Sequence, residues 1–277
     1  MHETDTPEGS DRGLYVYCFV PCGAELPLAL AGTHEGESLA LLRAGDVAAV
    51  YAQVRIAEFR TGPSADSSEE AARIVARACQ HERVVEEVMK STPVLPVRFG
   101  AVFSSAQALA QVLAENSQTI SQFLFKVSDK QEWAVKGFVD VSKAAQWALS
   151  SDPALAEESR LMSDCAGTQY LQERRLQGKA RRRAAALSRS AALEARLALE
   201  SLAVDWRPSK LAHPTDAAQD TEMVLNCAFL VPTRDVAAFM ERVETLSEQH
   251  RDKGIAFRLS GPWPPYSFCP TIGGTRQ

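Results

Sequence analysis

The stretch SLALLRAGDVAAVYAQVRI sets the tightest limit on what this chain folds into. Gly45 and Asp46 divide it into two apolar runs, 39–42 and 47–54, and turn residues between two such runs predict a hairpin. A hairpin makes neighbouring strands antiparallel, whereas a parallel sheet needs a long crossover between strands. The remaining sequence intersperses strand and helix patterns in both halves, so the expected class is α+β. At 277 residues, and roughly 150 residues per domain, two domains are expected. The polar SDKQ stretch places their boundary near Asp129 and Lys130. The expected division is an acidic, disordered tail over 1–13, an α+β domain over 14–130, and a second over 131–277 with a long basic helical stretch.

Residues 14–21, LYVYCFVP, read as a buried strand closed by proline. Ser67 or Ser68 is placed to cap a helix running to about Lys90, with Ile74, Ala78, Val85, Val88 and Met89 on one face. PVLPVRFGAVF (93–103) reads as a strand broken by Pro96 and turned at Gly100. Pro96, having no N–H to donate, belongs at an edge or bulge. One helix from about Ser104 and another reaching Phe125 follow, then a strand over 132–141. Asp152 and Pro153 open a helical stretch to about Trp206 that Gly167 and Gly178 can interrupt. TEMVLNCAFLVP is a strand, Arg234 to His250 a helix with Phe239, Val243 and Leu246 on one face, and GIAFRLSGPWPPYSF a closing strand with a proline-rich turn.

The formal charge of −5 is too small for binding nucleic acid or a membrane surface by bulk electrostatics. Its distribution is uneven. Residues 1–130 carry 11 basic and 17 acidic side chains and the remainder 19 and 18. Arg174, Arg175, Lys179, Arg181, Arg182 and Arg183 form an acid-free block. Such a block serves as a contact to an acidic protein surface, as a solvated face, or as a nucleic-acid or regulatory contact. No aromatic side chains interleave with it, which removes the stacking that single-strand binding uses.

Chemistry is otherwise scarce. The phosphate loops G-x-x-x-x-G-K-[ST] and G-x-G-x-x-G are missing, as is a G-x-S-x-G elbow. Six scattered cysteines supply no second close pair for zinc and read as free thiols of a reducing compartment. Cys79 and His81 lie two apart on a helix and so face different ways. His81, Glu82 and Glu86 lack the second histidine of a zincin, because position 85 is valine. The acidic N-terminus lacks signal-peptide features and no apolar run reaches membrane-spanning length. A cytoplasmic protein without catalytic residues, cofactor or metal is expected.

Several segments together resemble the GvpL/GvpF family of gas vesicle proteins. The closing GPWPPYSF (261–268) is the most telling, and LPVRFGAVF is similar to the family's V-L-P-V-R-F-G-x-V-F segment. The opening strand over 14–20, EWAVK (132–136), GTQYLQER (167–174) and NCAFLV (226–231) match further elements. Cys18, Ala134 and Ala101 stand where many relatives carry glycine or small hydroxyl residues. The resemblance implies an accessory or minor gas vesicle protein, not an enzyme, that contacts the shell protein GvpA and other vesicle proteins during assembly. It implies no nucleic-acid or lipid-membrane partner. It also implies two domains that are variants of a ferredoxin-like sheet, with extra helices in the second.

Two physical readings accompany these motifs. The prolines of GPWPPYSF keep it out of a central strand and hold Trp263, Tyr266 and Phe268 rigidly over an apolar surface, either as a lid on the core or as a partner-binding patch. Arg98, in an apolar strand, must reach solvent or a partner, and a structural salt bridge with a helix carboxylate is expected over a functional anion site.

Overall fold

The structure, a computed structural model, describes residues 12–26, 38–56, 68–161, 166–211 and 220–273. It is α+β, with two antiparallel sheets. The chain divides into two compact units, Met1–Asp129 together with Pro264–Gln277, and Lys130–Trp263. The last segment, from Pro264 on, thus belongs with the first unit, whereas the sequence predicts it within the second domain over 131–277. The physical reason is its contacts, among them a hydrogen bond from Tyr266 to Glu82 at 2.9 Å and the bonding of Gly273 to Asn116.

In the first unit, β1 (Arg12–Pro21) is buried at every position from 13 to 20, which requires a strand covered on both faces. It lies between β3 (Val47–Arg55) on one side and the short β4 (Leu95–Pro96) and β5 (Val102–Phe103) on the other; β2 (Ala40–Ala44) flanks β3. The expected hairpin is β2–β3, with Ala44 opposite Val47. Gly45 turns it at φ 60°, in the left-handed region that glycine enters without a Cβ clash. Pro96 sits on the edge strand β4, where its missing donor breaks no ladder.

Helix α1 (Ser68–Met89) packs Val84, Val85 and Val88 against Tyr15, Tyr17, Val50 and Ala52. The cap expected at Ser67 or Ser68 and residues 1–11 of the tail expected over 1–13 lie outside the described side chains, whereas Arg12 and Gly13, expected in that tail, open β1 because they pair with Arg55 and Val54 of β3. Helix α2 (Ala106–Val127) is one continuous helix where two were expected. No glycine or proline interrupts it, Ser105 Oγ accepts the Ala108 N–H at 3.1 Å, and Leu109, Val112, Leu113, Ile120, Phe123 and Leu124 give one buried face along its length.

In the second unit, β6 (Lys130–Asp140) runs between β8 (Thr221–Pro232) and β9 (Ile255–Trp263), and β7 (Asp205–Pro208) lies outside β8. Side-chain caps set the helix starts here. Asp140 accepts the Lys143 N–H at 2.8 Å to open α3 (Val141–Ser151), and Asp152 accepts the Ala154 N–H at 3.1 Å to open α4 (Pro153–Arg160). The helical stretch expected to reach Trp206 is therefore broken: α4 ends at Arg160, and α5 (Ala166–Glu200) follows. Gly178 stays inside α5 without interrupting it. Beyond Glu200 the chain pairs with β8, Trp206 opposite Phe229, so tertiary pairing overrides helix propensity there.

Helix α6 (Val236–His250) starts after a 3-10 turn at Thr233–Asp235 and buries Phe239, Val243 and Leu246 as expected. The core joins these to Trp133, Val135, Leu199, Phe229 and Phe257. Gly137 and Gly261 are fixed by close approach. A Cβ on Gly137 would stand 2.9 Å from Leu225 Cβ and 3.0 Å from the Phe257 ring. Gly137→Ala is accordingly expected to lower stability by about 1–3 kcal/mol, read as a shift of the urea midpoint, while the exposed Gly23→Ala leaves it in place. Gly261, in the GPWPPYSF motif, has φ 136° and a Cβ there would stand 2.9 Å from the Glu132 carbonyl oxygen. Only glycine fits.

Candidate functional site

The edge of the first sheet is interrupted between β4 and β5, and residues 97–101, VRFGA, bridge the gap. A chain of buried and half-buried hydrogen bonds holds this segment. The Gly100 N–H donates to Tyr15 Oη at 3.3 Å, Tyr15 Oη lies 2.8 Å from His81 Nδ1, and His81 Nε2 lies 2.9 Å from the Val97 carbonyl oxygen. A carbonyl only accepts, so Nε2 carries the proton and Nδ1 accepts from the tyrosine hydroxyl. The Tyr17 ring stacks on the imidazole at 5.4 Å, and Phe99 meets its edge at 6.0 Å.

Burial pushes the His81 pKa down to about 4, against the bond to Val97, and burial raises that of Tyr15. The pair is neutral, and both imidazole nitrogens are engaged. This arrangement positions a loop.

The sign of the pH dependence follows. His81 binds a proton more readily unfolded than folded, so its stabilising effect is complete above about pH 6.5 and is lost as pH falls toward about 4. The loss amounts to about 3 kcal/mol. His250, on α6, is also shifted down, by burial and then by Lys253, and acts with the same sign. Glu82 is shifted up by burial and acts oppositely. Thermal unfolding across this range is expected to show a falling midpoint on acidification, with the slope reduced in His81→Gln; equal slopes in both proteins contradict the assignment.

The same loop faces the C-terminal segment. Residues Pro96, Arg98, Phe99, Tyr266, Cys269 and Ile272 are among those that line a pocket of about 400 Å³. Tyr266 Oη donates to Glu82 Oε1 at 2.9 Å. Asn116 brackets Gly273, donating to its carbonyl at 3.2 Å and accepting its N–H at 3.1 Å. The two most telling sequence motifs, LPVRFG and PPYSF, thus meet around one pocket. Sequence reasoning missed His81 as their link, although Tyr15 and Tyr17, two apart on a strand, were a signal of a buried polar partner. Arg98 is exposed at the pocket rim, with no ion pair among the described residues, where a helix carboxylate was expected.

The candidate contact residues are distributed as follows. Phe268 is only 6% exposed, with Lys126 Nζ 5.8 Å from its ring centroid. Tyr266 is half-buried, and Trp263, at the end of β9, is 42% exposed. The basic block lies on α5. Arg174, Arg175, Lys179, Arg181, Arg182 and Arg183 are all exposed. Lys179 pairs with Glu158 at 2.7 Å and Arg183 with Asp152 at 3.0 Å, while the other four make no ion pair among the described residues. No group of three or more possible metal ligands occurs among the described residues, and no described helix is long and apolar enough to cross a membrane.

Comparison with known proteins decides the family. The model of the gas vesicle synthesis protein GvpL/GvpF family matches residues 13–270. The chain belongs to this family. Gas vesicle protein L of a Streptomyces species is 30% identical over 264 residues, covering 94% of each chain. Gas vesicle protein L2 of Halobacterium salinarum is 29% identical over 270 residues, covering 94% of this chain and 92% of that one. Among solved structures, the GvpF protein of an Anabaena species superposes with a TM-score of 0.64 at 20% identity, covering 94% of this chain and 97% of that one. GvpF of Microcystis aeruginosa gives 0.61 at 21%, covering 94% and 99%. These last two likenesses are of fold, and they fit the pair of antiparallel sheets seen here.

Proposed function

We propose that this member of the gas vesicle family is a non-catalytic accessory or minor structural protein that binds the shell protein GvpA and other vesicle proteins during assembly in the cytoplasm. The family match over residues 13–270 carries the reading. Its physical content is supported by a fold whose most specific motifs are used for positioning, through neutral, fully engaged His81 and Tyr15, and whose exposed Arg174, Arg175, Arg181, Arg182 and Trp263 are available to a partner. Tyr266 and Phe268 take the lid role in this reading, holding the C-terminal segment on the first unit. Both units are variants of a ferredoxin-like sheet in our reading; the support is their common strand order, β2-β3-β1-β4 and β7-β8-β6-β9, antiparallel throughout.

The test is removal of the gene from a gas-vesicle-forming cell. Loss of buoyant vesicles, restored by the wild-type gene, is the expected result. Vesicles formed in normal number and shape without the protein contradict the reading.

A further inference from the structure

We propose that the outward face of α5 is a docking surface for an acidic α-helix of a partner protein. The proposal rests on the reading that this chain binds other proteins, and it names the chemistry of one partner surface. From 174 to 193 the sequence contains seven basic residues and no acid. The packed face of α5 in this stretch is Leu176, Ala180, Ala184, Ser188 and Ala191, all buried. Lys179 and Arg183 lie to one side of the outward face, where Glu158 and Asp152 neutralise them. Arg174, Arg175, Arg181, Arg182 and Arg189 remain, exposed and without an ion pair among the described residues.

Their spacing is regular. Leu171, Arg175, Gly178, Arg182, Ala185 and Arg189 follow one another at alternating steps of four and three, the spacing of a seam that a second helix can follow along its length. Arginine recurs every seventh residue, and the residues between the arginines are the small Gly178 and Ala185, over which another backbone can come close. Exposed leucines stand at both ends, Leu171 at 58% and Leu193 at 52%, and offer apolar anchors.

The charge fixes the sign of the partner: a helix approaching this seam must bring carboxylates, or it leaves several guanidiniums facing apolar groups. Guanidinium is weakly hydrated and pairs with carboxylate in a planar, two-bond geometry, which suits such an interface. A nucleic acid fits the same charge less well. No aromatic side chain lies between 174 and 193 to stack on bases, and the terminal leucines have no use against a phosphate backbone.

The test uses the full chain and a fluorescent synthetic helix of about three heptads, carrying glutamate along one face with alanine and leucine beside it. A peptide of the same composition in scrambled order and a duplex DNA of equal charge serve as competitors. Anisotropy titration is expected to show binding of the ordered peptide, at least about 10-fold weaker for Arg175→Gln/Arg182→Gln/Arg189→Gln and unchanged for Arg234→Gln, an exposed arginine elsewhere. Because the three side chains are exposed, the triple variant is expected to keep the wild-type unfolding midpoint, which separates lost docking from lost folding. Equal binding of the ordered and scrambled peptides overturns the proposal. Tighter binding of the duplex, lost in the same triple variant and falling steeply with salt, also overturns it and makes the face a nucleic-acid surface. Failure of the peptide to bind while the protein still captures the vesicle shell subunit discards the helix proposal alone.

Discussion

His81→Ala is expected to produce the largest loss of stability of any single polar substitution in the first unit. The imidazole is fully buried and bridges β1 to the 97–100 loop through Tyr15 and Val97. Its removal takes the acceptor from the Tyr15 hydroxyl proton and the donor from the Val97 carbonyl, each at about 1–3 kcal/mol, and opens a void under the Tyr17 ring. The combined effect is about 4 kcal/mol, a drop of about 10 °C or more in the unfolding midpoint. His81→Phe separates the contributions: it refills the volume but restores neither hydrogen bond, and it is expected to recover only a minor part. Full recovery by phenylalanine contradicts the hydrogen-bonded role.

Truncation after Trp263 is expected to be at least as damaging. It removes buried Phe268 and Ile272, the Tyr266 bond to Glu82 and the pair of bonds between Asn116 and Gly273. Loss of two large buried side chains alone costs about 5 kcal/mol or more. Hydrogen exchange is the informative readout, because it reports where protection is lost. Faster exchange should concentrate in α1 and in the segment from β4 to β5. An increase spread evenly over both sheets contradicts the assignment of the C-terminal segment to the first unit, and Phe268→Ala, at about 3–5 kcal/mol, should reproduce the same pattern more weakly.

Much of the fold was legible in the sequence wherever one local signal dominated. The Gly45 turn, the edge position of Pro96 and the buried stripe Phe239, Val243, Leu246 each follow from a few adjacent residues. Where tertiary pairing decides, the sequence misleads. DWRP reads as the end of a helix, yet becomes β7 because Phe229 and its neighbours on β8 offer a free edge. VSKAAQWALSS passes unnoticed as α3 until Asp140 is recognised as its cap.

The candidate site divides in the same way. The basic block of α5 is visible as composition, but which of its cations are already paired depends on Asp152 and Glu158, more than twenty residues away in the chain. The His81 link was invisible because its partner Tyr15 lies 66 residues distant, and a histidine followed by Glu82 and Glu86 on a helix invites comparison with a zincin instead. Arg98 ends exposed because its loop leaves the sheet between β4 and β5, a break that Pro96 announces without saying where the side chain goes.

The central claim is that this chain binds the vesicle shell protein while vesicles are built. The most direct measurement is its capture, from a gas-vesicle-producing cell, through an affinity tag, followed by assay of the eluate for GvpA and of washed, floated vesicles for the protein itself. The account predicts that GvpA co-purifies, and retention on the washed vesicles then distinguishes a minor structural component from a transient assembly factor. Recovery of the protein without GvpA, under conditions where other vesicle proteins capture it, contradicts the account.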